Sequence, residues 1–234
     1  MAQKNAPLKV PDMARNLDIP LSSLYRIISI LKKNGLVERL DRDGHIVLGM
    51  RNLTLARGVD EQNALIKIAN PEMKRLCGRT NESVHLYTLT DDRQICIDYV
   101  ESPAPIRVIS TKGEIMPLYA GAAGKVLLAF LPAGKRSKLL EEMTFEKMAS
   151  NTITDRHILA EALKKIRKEG FAHSRSELIE GAEGVAAPIF DRMKGVVAAL
   201  VIAGPEQRFR QKNLDEIIDM VKGSTAKISK ALEM

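Results

Sequence analysis

Residues 10–48 read VPDMARNLDIPLSSLYRIISILKKNGLVERLDRDGHIVL, and the organisation of the chain follows from how that stretch divides. Val10, Met13, Ala14 and Leu17 recur at helical spacing, and Pro11 suits a first turn, where a missing N–H costs little. Asp18-Ile19-Pro20 interrupts the pattern. A second helix then carries Leu24, Ile27, Ile28 and Leu31 as one apolar stripe, with Gly35 after Asn34 as its stop. Leu36–Leu40 and His45–Leu48 flank Asp41-Arg42-Asp43-Gly44, which predicts a β-hairpin. Helix, tight break, helix and hairpin make a winged helix-turn-helix pattern.

The face of the second helix opposite its apolar stripe carries Ser22, Tyr25, Arg26, Ser29 and Lys33, with Ser23 at its edge. Hydroxyls bond phosphates or base edges, and an arginine bonds guanine bidentately. The hairpin tip adds Arg42 and His45. Any solvated amphipathic helix presents such a face. The hairpin that follows and the local charge favour double-stranded DNA. Residues 1–58 hold ten Lys and Arg against five Asp and Glu, so +5 of the chain's +7 lies in its first quarter.

Outward from this stretch, residues 1–9 read as a loose polar segment. Residues 51–58 read as a connecting helix ending at Gly58, followed by a helix over 60–77 with a boundary at Pro71. Strands are expected at 84–89, 94–100, 106–110, 171–176, 184–190 and 195–203. Helices are expected at 122–131, 133–143, 155–169 (capped by Thr154 and Gly170) and 211–232. The fold class is α+β: a basic helical module with a hairpin, a helical linker and a domain of mixed strand and helix.

In that second domain, Gly121-Ala122-Ala123-Gly124 opens a helix. Small residues there admit a carboxylate to the backbone N–H groups, and they equally permit close helix packing. A phosphate loop is excluded, because Tyr119 and Val126 occupy positions that need Gly and Ser or Thr. His45, His85, His157 and His173 have no metal-ligand spacing, and His85 reads as a hydrogen-bonded structural residue on a strand close to that of His173. Ser174 and Ser176 lack a nucleophile elbow, and Cys77 and Cys96 lack an activating motif. No enzyme activity, metal or cofactor is expected. The aromatic content of 4% with no Trp argues against a stacking surface. Two free thiols, no long apolar run and no leader-like N-terminus point to a cytoplasmic protein without a membrane span.

Val10 to Leu55 resembles the DNA-binding domain of IclR-family transcriptional regulators. The carrying residues are Met13–Leu17, Ile19–Arg26, Gly35–Glu38, Asp43–Gly49 and Leu53. The second domain resembles the family at Pro117–Ala129, Lys168–Ala172, Ser176–Leu178, Gly181, Ala186–Asp191 and Ala203–Pro205. The resemblance implies a winged helix-turn-helix over 1–50, a linker helix over 51–60, and a GAF-like effector-binding and oligomerisation domain over 61–234. That domain would carry a mainly antiparallel sheet. It implies a homodimer or homotetramer on a near-palindromic operator, controlled by a small-molecule effector.

The implied effector positions are Val108, Ala122, Ala123, Ser174, Gly184, Val201 and Ala203, joined by Gly121 of the small-residue loop. Two hydroxyl positions common in the family are Val201 and Ala203 here, which implies a fairly apolar carboxylate such as an aromatic acid. Arg175 reads as an ion-pair partner on the surface. Two departures accompany the resemblance. The family's first helix is missing from the nine residues before Val10, and Leu21 replaces a customary Lys that contacts the DNA backbone. The competing function is a small-molecule sensor or enzyme that uses the second domain alone.

Overall fold

Pro11, lacking an N–H, sits in the first turn of α1 (Val10–Leu17), where no intrahelical donor is needed. The helix stops at Asp18, whose left-handed backbone (φ 51°) lets its N–H bond back to Ala14 and Arg15. Pro20 leads into α2 (Leu21–Lys33). The computed structural model describes residues 7–39, 41 and 44–233, with backbone alone for 60–62. The chain divides into two units, Met1–Ala64 and Leu65–Met234.

In the first unit, β2 (Val37–Arg39) and β3 (His45–Leu48) form the expected antiparallel pair. A third strand, β1 (Leu8–Lys9), pairs with the other edge of β3, so part of the segment read as loose is strand. Val10, Ala14, Leu24, Ile28, Val37 and Ile46 form the core. Ile27, expected on the buried stripe, is instead 46% exposed. Gly49 is fixed by contact: a Cβ there would stand 2.2 Å from the Gly35 carbonyl oxygen. Asn52 Nδ2 donates to the Leu36 and Gly49 carbonyls and ties the next helix to the hairpin. That helix, α3 (Arg51–Gln62), continues through Gly58 rather than ending there. Its break falls at Asn63.

In the second unit, α4 (Ala64–Thr80) runs through Pro71 without a boundary. Its buried face of Ile66, Ala69, Met73 and Leu76 is continuous, and packing overrides the local penalty. A six-stranded sheet follows in the order β6-β5-β4-β9-β8-β7, with every neighbouring pair antiparallel. The strands are β4 (Ser83–Thr90), β5 (Arg93–Val100), β6 (Ile115–Met116), β7 (Ala172–Arg175), β8 (Ala182–Phe190) and β9 (Val196–Pro205). Residues 106–110, expected as a strand, are irregular, and the edge strand is β6.

Alternation along the strands loads both faces of the sheet. Val84, Leu86, Ala187, Leu200 and Ile202 pack with α4 and α9 (Leu214–Leu232). Tyr87, Ala186, Ala199 and Val201 pack on the other side with α5 (Gly121–Phe130) and α7 (Arg156–Glu169). Helices α6 (Ala133–Glu142) and α8 (Glu206–Phe209) complete the unit. Helix α7 starts one residue later than expected: Asp155, not Thr154, is the cap, accepting from the N–H groups of His157 and Ile158. Gly170 closes it at φ 80°.

Candidate functional site

A cavity opens at the N-terminus of α5. It measures about 510 Å³, counting the mouth that opens to solvent. Five strands, the 106–110 segment and the turn after β7 contribute to its wall. Val108, Gly121, Ala122, Ala123, Ser174, Gly184, Val201 and Ala203 all line it. The sheet register explains part of the convergence. Ser174, Gly184 and Ala203 lie side by side across β7, β8 and β9, and Val201 stands opposite His85 of β4.

Helix α5 presents bare backbone to this space. Its cap residue, Ala120, supplies no side-chain bond, so the first N–H groups depend on something else for partners. Gly121 takes φ 78° and a Cβ there would touch Leu178, so the turn into the helix needs glycine. Gln94 Nε2 donates to the Pro117 and Ala120 carbonyls and locks that turn to β5.

The polar wall was missed by the sequence reading. It holds His85, Tyr87, Gln94, Ser110, Glu177 and Glu183. Tyr87 Oη and Ser110 Oγ share a hydrogen bond of 2.6 Å. Lys125, 4% exposed, donates to Glu177 Oε1 at 2.5 Å and to the His173 carbonyl. Glu183 meets His173 Nε2 at 2.7 Å and Arg175 Nε at 3.1 Å, so Arg175 is the ion-pair partner expected of it. His85 Nε2 is enclosed without a hydrogen-bond partner, which overturns its reading as a satisfied structural histidine. Burial lowers its pKa to about 4, so the ring is neutral at pH 7. His85 and His173 are not neighbours, because β9 and β8 lie between their strands. The available signal was the alternation in Val84-His85-Leu86-Tyr87, which sets both polar rings on one face.

The thiols are buried and separate. Burial pushes the Cys96 thiol up to about 12, and burial with nearby Glu82 raises that of Cys77, so neither is a nucleophile. Among the described residues no group of three or more His, Cys, Asp or Glu is placed to hold a metal. Among them, too, no helix is long and apolar enough to cross a membrane.

On the first unit, Ser22, Ser23, Tyr25, Arg26, Ser29 and Lys33 are all exposed on α2. His45 is half-buried, with Nδ1 held 2.6 Å from Asp41 Oδ2 and its N–H donating to Asp41 Oδ1. It braces the hairpin turn more than it projects from it. Arg42 lies outside the described residues.

A family profile described as bacterial transcriptional regulator IclR C-terminal matches residues 58–230. The chain belongs to the IclR family. Among similar relatives is the HTH-type transcriptional regulator KdgR of Escherichia coli K12. It is 29% identical over 220 residues, covering 94% of this chain and 84% of KdgR. The Thermotoga maritima IclR crystal structure is 29% identical with a TM-score of 0.75, covering 98% of this chain and 92% of that one. An IclR homologue from Microbacterium hydrocarbonoxydans, complexed with 4-hydroxybenzoate, is 23% identical with a TM-score of 0.75 over 97% and 91% of the two chains. The named relatives of this IclR-family chain are transcriptional regulators, not enzymes.

Proposed function

We propose that the chain is a ligand-responsive regulator in which residues 1–50 form a winged helix-turn-helix, 51–60 a linker and 61–234 a GAF-like effector-binding and oligomerisation domain. It works in the cytoplasm as a homodimer or homotetramer on a near-palindromic operator. Ser22, Ser23, Tyr25, Arg26, Ser29 and Lys33 contact double-stranded DNA, Arg42 and His45 lend the hairpin's contacts, and effector binding shifts the population of DNA-competent forms. The observation that carries the reading is the convergence of eight residues from five separate segments on one cavity at a helix N-terminus.

The effector is a carboxylate with an apolar body. Val201 and Ala203 give the β9 wall no hydroxyl, and among the described residues no Lys or Arg lines the cavity, so backbone N–H groups and the helix dipole hold the anion. The complex of a fold relative with 4-hydroxybenzoate agrees with that chemistry.

Thermal shift across a panel of small carboxylates tests the effector half. A true effector raises the midpoint, because it binds the folded form alone. Binding to the DNA upstream of the chain's own gene tests the other half. The affinity should fall steeply with salt. No binding at low salt would refute the DNA-binding role.

A further inference from the structure

Among the described residues, three side-chain atoms are enclosed without hydrogen-bond partners: His85 Nε2, Gln94 Oε1 and Glu177 Oε2. Their residues all line the one cavity described above. Each is at least nine-tenths buried. Leaving a buried polar atom unpaired costs about 1–3 kcal/mol, so three in one wall point to an absent partner.

Their chemistry is fixed by what the rest of each side chain does. Gln94 Nε2 is committed to the Pro117 and Ala120 carbonyls, so Oε1 stays an acceptor. Glu177 Oε1 takes the Lys125 ammonium at 2.5 Å, which leaves Oε2 accepting. His85 Nε2 accepts or donates according to tautomer. Charge is already balanced: Lys125 neutralises Glu177, and Arg175 does the same for Glu183. The wall therefore asks for neutral donors more than for a cation. The bare N-terminus of α5 asks for an anion.

We propose that the ligand is a hydroxy acid, its carboxylate at the N-terminus of α5 and its O–H donors on Gln94 Oε1, Glu177 Oε2 and His85 Nε2. This rests on the reading of the cavity as an effector site and specifies the ligand beyond its carboxylate.

Calorimetry on the full chain decides it with matched probes. They are benzoate against 3- and 4-hydroxybenzoate, and butanoate against 3-hydroxybutanoate and 3-aminobutanoate. A hydroxy acid should bind about tenfold tighter than its parent, the gain of one well-made hydrogen bond. Glu177→Gln puts an amide N–H where an acceptor stood and should bring that ratio close to one. Because the variant also leaves the Lys125 ammonium without its counter-charge, parent and hydroxylated acid shift affinity together, and the ratio between them is the readout. His85→Phe, which leaves the Lys125 pair intact, should also lower the ratio, and the wild-type comparison stands if either variant fails to fold. Parents binding as tightly as their hydroxylated forms would overturn the inference and leave the effector reading intact. Tightest binding of the ammonium acid would overturn it in favour of a charged donor. An unchanged ratio in both variants would overturn the residue assignment. No binding by any acid would overturn inference and effector reading together.

Discussion

The two units treat their apolar residues differently. The second buries a full cluster on each face of its sheet, with Met73, Leu76, Leu200 and Ile202 sealed on one side and Val126, Leu127 and Leu159 on the other. Among its described residues, the first closes a core of six buried side chains, flanked by Met13, Ile19 and Leu31, and leaves Leu17, Leu21, Ile27, Ile30, Leu53 and Leu55 exposed. A core that small supplies limited stability, because little apolar area leaves water. The second unit has ample packing and uses some of it to hold an unsatisfied polar wall. The first shows a basic, half-apolar surface suited to binding something larger.

Four measurements probe how independent the two units are, each followed by residue-resolved hydrogen exchange so that the loss is assigned to one unit. The largest effect is expected from Leu200→Ala. Leu200 is fully buried between β4 and β8, and its truncation should cost about 2–5 kcal/mol, all within the second unit. Damage spreading equally to the first unit would show the two to be cooperative.

Acid comes next. The folded pKa of His85 is depressed to about 4 against 6.5. The unfolded chain therefore takes up the proton first, and stability present above pH 6.5 is lost as pH falls toward 4. The wild type should lose about 3 kcal/mol more than His85→Phe across that window in denaturant titrations. Equal losses would mean that water or a ligand reaches His85.

Gly49→Ala should cost the first unit about 1–3 kcal/mol, since its methyl meets the Gly35 carbonyl, and should leave the second unit's exchange unchanged. The smallest effect is expected from Ile30→Ala. The side chain is 55% exposed, so stability should move by less than about 0.5 kcal/mol. A larger loss would show that Ile30 is covered in solution.

The sequence was read well wherever one face met water. Amphipathic periodicity placed α1, α2 and α7 to within a residue or two, and Gly35 and Gly170 marked helix ends through the left-handed backbone they adopt. It was read poorly where long-range packing decides. Gly58 and Pro71 look like breaks, yet α3 and α4 run through them. Residues 106–110 are apolar enough for a strand and have no strand partner, while Ile115–Met116 pairs with Gln94 and Ile95. Ile27 fits the stripe by spacing and still points to water.

For the cavity, the small residues at 121–123 and the positions on β7, β8 and β9 were recognisable in the sequence as a set, and the sheet register brings them side by side. The wall of His85, Gln94 and Glu177 was not. Those residues are separated by up to 92 positions, and nothing local distinguishes a polar side chain with a partner from one without. The amphipathic helices α1, α2 and α7, the hairpin and the placement of positive charge could be read from the chain alone, because they follow from nearest neighbours and short periods. Which polar atoms stand alone in the cavity depends instead on strands and turns brought together across the whole second unit, because the groups able to pair with them lie far away in the chain.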